Sequence, residues 1–262
     1  MPYTPEQQTD LVEKHTEVLA ALQNLKLQCV VQGQSLAEDS PEREHLLHGA
    51  GRRVGVILRS LHRIFEIFPP NTERPLEQDV LMDVQIYLHA FVINLYGIFD
   101  NWAWAFVYRH DLEPRIGKRQ NVSLFKESTR RYLAAPLREY LVSDGKAEWH
   151  ERYLKSYRDA LAHRIPLYIP PATFTPEESQ RHNVLESEKI QNIWAANFPR
   201  VEEIWAEQAA LGRPCMAFLH SYREEGAPRP VLLHPQLISD AMAVVEFGEL
   251  YLRLWHESVV SE

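Results

Sequence analysis

Three ionisable residues near the middle of the chain have types and spacing suited to proton and phosphate chemistry: Arg158, Asp159 and His163. Asp159 and His163 are four residues apart, so in a helix they lie on one face and can pair. His163 falls in the last turn of a predicted helix, where the helix dipole and the Asp159 carboxylate both favour the imidazolium form. Such a histidine can transfer protons near neutral pH, and Arg158 is a permanent cation suited to a phosphate.

The helical geometry of this segment limits what one chain can do alone. On an ideal helix, Arg158 and His163 point roughly 140° apart, so one helix cannot direct both onto one atom. A second copy of the chain, or a bend at the helix end, has to bring them together. The same Arg-to-His spacing also occurs at 43–48 and 229–234. Only Arg158 is followed by a short polar residue at the end of an amphipathic helix.

The helix that carries these residues is predicted over 146–164. Trp149, Tyr153 and Tyr157 recur on one face at helical spacing. Pro166 ends the helix, because the residue before a proline is disfavoured in the α region. His163 is thereby predicted at the helix terminus.

This segment resembles the signature of the HEPN family (higher eukaryotes and prokaryotes nucleotide-binding domains). That signature is an arginine, a polar residue, about three further residues and a histidine, near the end of a late helix in a helical bundle. Arg158, Asp159 and His163 match these three positions, with Asp in place of the commoner Asn. The resemblance covers about 80–166. It implies a metal-independent endoribonuclease of toxin or defence type, with two motifs facing each other across a homodimer.

The resemblance also implies a role for each residue. His163 would exchange protons with a ribose 2′-hydroxyl or with the leaving 5′-oxygen, and Arg158 would stabilise the charge on the pentacoordinate phosphate. Asp159 would orient His163 or residues of the partner copy. The products would be a 2′,3′-cyclic phosphate and a 5′-hydroxyl. Asn101 and Tyr96, from the helix predicted at the centre of the bundle, are the candidate supporting residues.

Two other functions fit the same sequence. HEPN-like proteins that have lost catalysis act as binding or scaffold modules, and that interpretation predicts His163 buried against Tyr157 or the Pro166 segment. A bundle that binds a small ligand or nucleotide would instead have an apolar, aromatic-rich pocket. Its lining would come from a line of polar-capable residues that recur every seven positions: Tyr87, Asn94, Asn101 and Tyr108. These residues either satisfy one another and nearby backbone groups or line a site.

The elements that must position these residues are predicted to be almost entirely helical. Thr4-Pro5 and Ser40-Pro41 are helix starts, and a long central helix runs from near Pro75 to Tyr108. A small β-hairpin is predicted within 215–233, followed by a last helix at about 235–256. We therefore predict an all-α multi-helix bundle, a single domain over 1–262 in which helical additions flank the HEPN-like core.

Composition and charge favour a soluble intracellular protein. The 262-residue chain has a net charge of −8, yet residues 109–164 contain 13 Lys and Arg against 8 Asp and Glu, a net of +5, so this part could face phosphates. Two distant cysteines and the lack of a signal peptide favour the cytoplasm. The apolar stretch 86–99 is too short and too polar to span a bilayer. We expect RNA or a nucleotide as ligand and no metal or cofactor; the sequence does not indicate an antitoxin partner.

Overall fold

The protein is described here by a computed structural model that covers residues 3–143, 145–220 and 229–258. Over these ranges the chain is a multi-helix bundle with one two-stranded antiparallel sheet. This confirms the predicted all-α class and the predicted small hairpin.

The first helix begins where its capping sequence predicts. α1 (Pro5–Gln34) follows Thr4, whose hydroxyl accepts a hydrogen bond from the Gln7 backbone N–H. The Gln7 side chain accepts one in return from the Thr4 backbone N–H at 2.9 Å. The two bonds satisfy donors that a helix start would leave unpaired.

The second predicted helix is continuous but not regular. It consists of α2 (Pro41–Arg43), a π-helical turn (Glu44–Ala50) and α3 (Gly51–Ile67). The π-helical turn packs against the central helix. A Cβ atom on Gly49 would lie only 2.4 Å from Asn101 Nδ2, so glycine allows this close approach. The spacing of apolar residues predicts a regular helix here. It cannot indicate the π-helical turn, because it carries no information about the contact with Asn101.

The central helix is α4 (Gln78–Arg109), as long as the sequence predicts. It packs along α3 and also contacts the helix that carries Arg158 and the last helix of the chain. By length and composition, α4 is apolar enough to cross a membrane, which corrects the expectation that this stretch is too short and too polar. Half of its most apolar window is buried inside the fold. That burial indicates the core helix of a soluble protein.

The segment after α4 is built from short helices: α5 (Glu113–Ile116), a 3-10 turn (Arg119–Asn121), α6 (Glu127–Arg130) and α7 (Ala135–Val142). Serine often caps a helix, but Ser123 does not begin one. Ser123 Oγ accepts a hydrogen bond from the Phe125 backbone N–H in a turn before α6. Competition between short polar side chains and helical hydrogen bonds accounts for the difference.

The predicted helix with the candidate site runs as α8 (Lys146–Glu148), a second π-helical turn (Trp149–Leu154) and α9 (Lys155–His163). It ends just before Ile165-Pro166, as predicted. The chain then continues in extended form and forms isolated bridges from Tyr168 to Leu219 and from Thr173 to Arg213.

The last third contains a helical hairpin, the small sheet and a final core helix. The hairpin is α10 (Pro176–Trp194) and α11 (Phe198–Ala209), and we call it the arm. Strands β1 (Ala217–His220) and β2 (Arg229–Leu232) pair antiparallel. The part of the predicted first strand beyond His220 lies outside the described residues. α12 (Leu233–Arg253) packs against α1 and closes the core.

Candidate functional site

Arg158 belongs to α9, which we call the motif helix, and its side chain contacts the central helix α4. Its guanidinium carbon is 4.4 Å from the centroid of the Tyr96 ring, a cation–π contact. Its Nη1 atom is 3.0 Å from Asp159 Oδ1. The Arg158 side chain keeps 28% of its surface exposed, so the cation is held in place but is still accessible to a ligand.

The Arg158 guanidinium also has an unused donor. Its Nε atom is buried and has no hydrogen-bond partner among the described residues. A buried donor without an acceptor costs stability. A phosphate can approach only the exposed part of the guanidinium, where arginine geometry suits two-point contacts.

His163 is the last residue of α9, and its side chain is exposed. The predicted Asp159–His163 pair is not formed: within the described ranges, the Asp159 carboxylate binds Arg158 instead. Arginine is a permanent cation with a planar guanidinium, which suits it to pairing with a carboxylate. The exposure of His163 also differs from the buried position that the scaffold interpretation predicts.

Tyr96, one of the two predicted supporting residues, belongs to the Arg158 site. Its ring stacks on His150 with centroids 5.2 Å apart, while Arg158 contacts the same ring. His150 stacks in turn on Phe125 at 3.6 Å. Burial lowers the pKa of His150 to about 4, so this imidazole is neutral and serves as part of an aromatic stack that fixes Tyr96.

Asn101, the other predicted supporting residue, lies in a neighbouring cluster around Arg53. Arg53 Nε donates to Asn101 Oδ1 at 2.7 Å, and Arg53 Nη1 donates to Asn94 Oδ1 at 3.2 Å. A Cβ atom on Gly97 would lie 2.6 Å from the Arg53 guanidinium carbon. Glycine at that position therefore gives the guanidinium room against α4 between the two amides.

The Arg53 cluster decides between the two interpretations of the polar line on α4. Asn94 and Asn101 share an arginine from α3 and so are satisfied inside the protein. The groove beside this part of α4 has a volume of about 640 Å³, and it includes Tyr87 but neither asparagine. The hydrogen bonds of Asn94 and Asn101 to Arg53 are therefore internal to the protein.

Asp100 links the two clusters electrostatically. Desolvation raises the pKa of its carboxyl, and the nearby cations Arg158, Arg53 and Lys126 act in the opposite direction. The Asp100 side chain is still exposed to solvent. Three cations therefore act on one carboxylate of the central helix, and one of them, Arg158, belongs to the motif.

Sequence reasoning missed Arg53, Asp100 and His150. Arg53 and Asp100 lie on helices whose pattern indicates only core packing, and His150 has no spacing relation to the motif. The glycines Gly49 and Gly97 were the available signals, since a glycine inside a helix often marks a close approach of other atoms.

The fold is a helical bundle in which the partly exposed Arg158 side chain lies against Tyr96 of the central helix, and His163 ends the helix that carries Arg158. In the described part of the chain, no group of three or more His, Cys, Asp or Glu side chains is placed to hold a metal ion. Comparison with known proteins gives no match to any family model, to any curated protein or to any solved structure.

Proposed function

We propose that this protein is an HEPN-like, metal-independent endoribonuclease of toxin or defence type, active as a homodimer in the cytoplasm. One observation carries the proposal: an exposed histidine ends the helix on which Arg158 is held against Tyr96 with a buried, unpartnered N–H. Histidine and arginine are the residues that cleavage through a ribose 2′-hydroxyl needs.

The reaction would be a transesterification. A base takes the proton from the 2′-hydroxyl, the 2′-oxygen attacks phosphorus, and the bond from phosphorus to the 5′-oxygen breaks. An acid gives a proton to that 5′-oxygen, which leaves a 2′,3′-cyclic phosphate and a 5′-hydroxyl. A single His163 cannot contact both oxygens on opposite sides of phosphorus, so one histidine from each copy would act, as base and as acid.

Arg158 would stabilise the negative charge that develops on the phosphoryl oxygens. Its exposed fraction makes the guanidinium available for that purpose. Asp159 fixes the guanidinium from the other side at 3.0 Å, so its proposed role is to orient Arg158 rather than His163. Arg53 and Lys126, which act on the same carboxylate as Arg158, would attract neighbouring phosphates.

A second candidate is a non-catalytic protein that binds RNA or a nucleotide. The observation in its favour is the Arg158–Asp159 ion pair, which leaves His163 without the carboxylate that the sequence predicts beside it. Binding through Arg158 and Arg53 would then continue without cleavage. The exposed position of His163 differs from the burial expected for this candidate and is necessary for the enzyme.

The test is RNA cleavage by the purified protein in the presence of a chelator. We expect the parent protein to cut, the His163→Ala variant to lose at least ~1,000-fold in rate, in line with an acid–base residue that serves twice, and the Arg158→Ala variant to lose ~100-fold or more. His256→Ala is the matched control, because His256 is also exposed but distant in sequence from the motif. The 5′-hydroxyl ends are detected by enzymatic phosphorylation.

The outcomes separate the candidates. Cleavage that His163→Ala abolishes and His256→Ala does not would support the enzyme. If none of the proteins cuts, but RNA retention falls in Arg158→Ala, the binding candidate replaces it. Cleavage that survives in His163→Ala would exclude the proposed mechanism.

A further inference from the structure

The arm stands apart from the rest of the fold. The two helices pack against each other, and neither packs extensively against another described element. The arm leaves and rejoins the fold at a narrow neck, where Thr173 and Arg213 exchange backbone hydrogen bonds of 2.8 and 2.9 Å. Its own small core, formed by Leu185, Val201 and Ile204, is not part of the main hydrophobic core.

One flank of the arm is covered by ion pairs. Arg200 contacts Glu188 at 2.8 Å, Glu203 at 3.0 Å and Glu207 at 2.9 Å. Arg181 contacts Glu207 at 2.6 Å. The pairs join the start of α10 to the end of α11, as expected for antiparallel helices. The charged side chains named on this flank are therefore paired with each other.

The opposite flank is apolar and exposed. At about 100° per residue, Ile190 and Ile193 turn away from the charged side of α10, and Phe198 and Trp205 do so on α11. These side chains are 49%, 46%, 62% and 56% exposed, in that order. At the tip of the arm, Trp194 is 87% exposed. Toward the neck, the same flank carries the Lys189–Glu186 ion pair, which also contacts Gln208. The apolar part is therefore the half of the flank nearest the tip, and exposed apolar and aromatic side chains grouped in this way mark an interaction site.

We infer that this apolar flank binds the same flank of a second copy of the chain, so that two arms form a four-helix bundle. The amount of surface supports a pair of copies. With about 200 Å² for a buried aromatic side chain, the exposed parts of Trp194, Phe198 and Trp205 amount to about 400 Å² per copy. When Ile190 and Ile193 are included, the apolar area available on the two copies together exceeds the ~1,000 Å² that a specific interface buries.

A second copy also fits the chemistry of the flank. A twofold interface uses the same patch on both copies and so needs a self-complementary surface. An apolar patch meets this condition, because apolar side chains match each other. The charges of the arm are paired with each other, on the far flank around Arg200 and on the near flank as Lys189–Glu186. Two helical hairpins that join through apolar faces give four-helix packing, which buries those faces.

The arm dimer would also serve the candidate site, and this link rests on the proposed function. The chain runs from His163 through only about ten residues to the neck at Thr173. Arms that join two copies would therefore keep two motif helices tethered together, as a site with one histidine from each copy requires. The dimer itself does not depend on cleavage of RNA.

The experiment combines light scattering with cysteine cross-linking of the full chain. The parent should have twice the mass of one chain, and the double variant Trp194→Glu with Phe198→Glu should have the mass of one. Leu27→Glu is the matched control, since Leu27 is 58% exposed on α1. Ile193→Cys should form a disulfide-linked dimer on oxidation, and Glu203→Cys, on the charged flank, should not. The native cysteines, Cys29 and Cys215, are buried.

A parent that stays monomeric without the Ile193→Cys cross-link would overturn the inference, as would a dimer that survives the double substitution. A complex only with a different protein would also overturn it. Failure of the proposed function looks different: a dimer that dissociates in the arm variant but cuts no RNA leaves the arm inference intact. His163→Ala should remain dimeric.

Discussion

The motif region and the arm use aromatic and charged side chains in opposite ways. Around α9, Arg158 lies 4.4 Å from the Tyr96 ring, and His150 is buried in the adjoining stack. In the arm, Trp194 is 87% exposed while Arg200 has three carboxylate partners at the surface. The motif region packs its aromatic rings against the protein and leaves a cation partly exposed. The arm pairs its cations with carboxylates and leaves aromatic rings exposed.

The difference has energetic consequences. Exposed ion pairs contribute about 0–1 kcal/mol each, whereas burial of an aromatic side chain contributes several times more. The motif region is therefore stabilised by its own packing. The arm gains little from its exposed rings until another surface covers them, which is why its sequence is better explained by association than by folding.

The largest expected effect separates the two regions by stability. Tyr157 on the motif helix is 2% exposed, so Tyr157→Ala should lower the free energy of unfolding by about 3–5 kcal/mol. Trp194→Ala in the arm should change it by less than about 0.5 kcal/mol in solutions too dilute for association. Chemical denaturation measures both. Equal losses would mean that the arm is integrated into the main fold.

The second effect concerns acid stability. Burial lowers the pKa of His150 from 6.5 to about 4, so the folded state holds the neutral imidazole. The free energy of unfolding is unaffected by His150 titration above pH 6.5. It decreases as the pH falls from 6.5 towards 4, by about 3 kcal/mol at most, because the unfolded state binds the proton first. His150→Phe keeps the ring stack and should remove that loss. Other buried histidines titrate in both proteins, so the difference isolates His150.

The arm should respond to acid in a lower range. Hydrogen bonds from Lys189 and Arg200 lower the pKa of Glu186 and Glu207 below the ordinary value of 4.5. Their small contribution persists as the pH falls to 4.5 and is lost only below it. Urea unfolding followed from pH 8 to about pH 3 would check both regions, since the His150 effect falls above pH 4 and the arm effect below pH 4.5. An unchanged pH slope in His150→Phe would contradict the assignment.

Local signals predicted the helices of this protein well, because caps and prolines act within one turn. Thr4 and Thr175 both form the capping boxes that their sequences indicate, and α9 ends before Pro166. The π-helical turns were not predictable in this way. Gly49, in the first of these turns, lies against Asn101 of the central helix. The sequence around Gly49 does not indicate which residue it will contact.

The candidate site was predicted in part. Tyr96 does contact Arg158, and His163 does lie at the helix end, but helical spacing alone could not show that the Asp159 carboxylate lies beside Arg158. The exposed flank of the arm could not be foreseen either. Helical spacing shows that Phe198 and Trp205 share a side, but not whether anything covers it.

The smallest expected effect tests the independence of the arm. Residues 174–212 can be replaced by two glycines, because Thr173 and Arg213 already pair and paired strand residues are about 5 Å apart. The unfolding midpoint should stay within about 4 °C of that of the monomeric double arm variant, since the arm packs on itself and 1 kcal/mol corresponds to about 2–4 °C at this size. Circular dichroism on heating measures it. A much larger fall would show that the arm supports the main fold, and its exposed rings would then have to be explained together with that support.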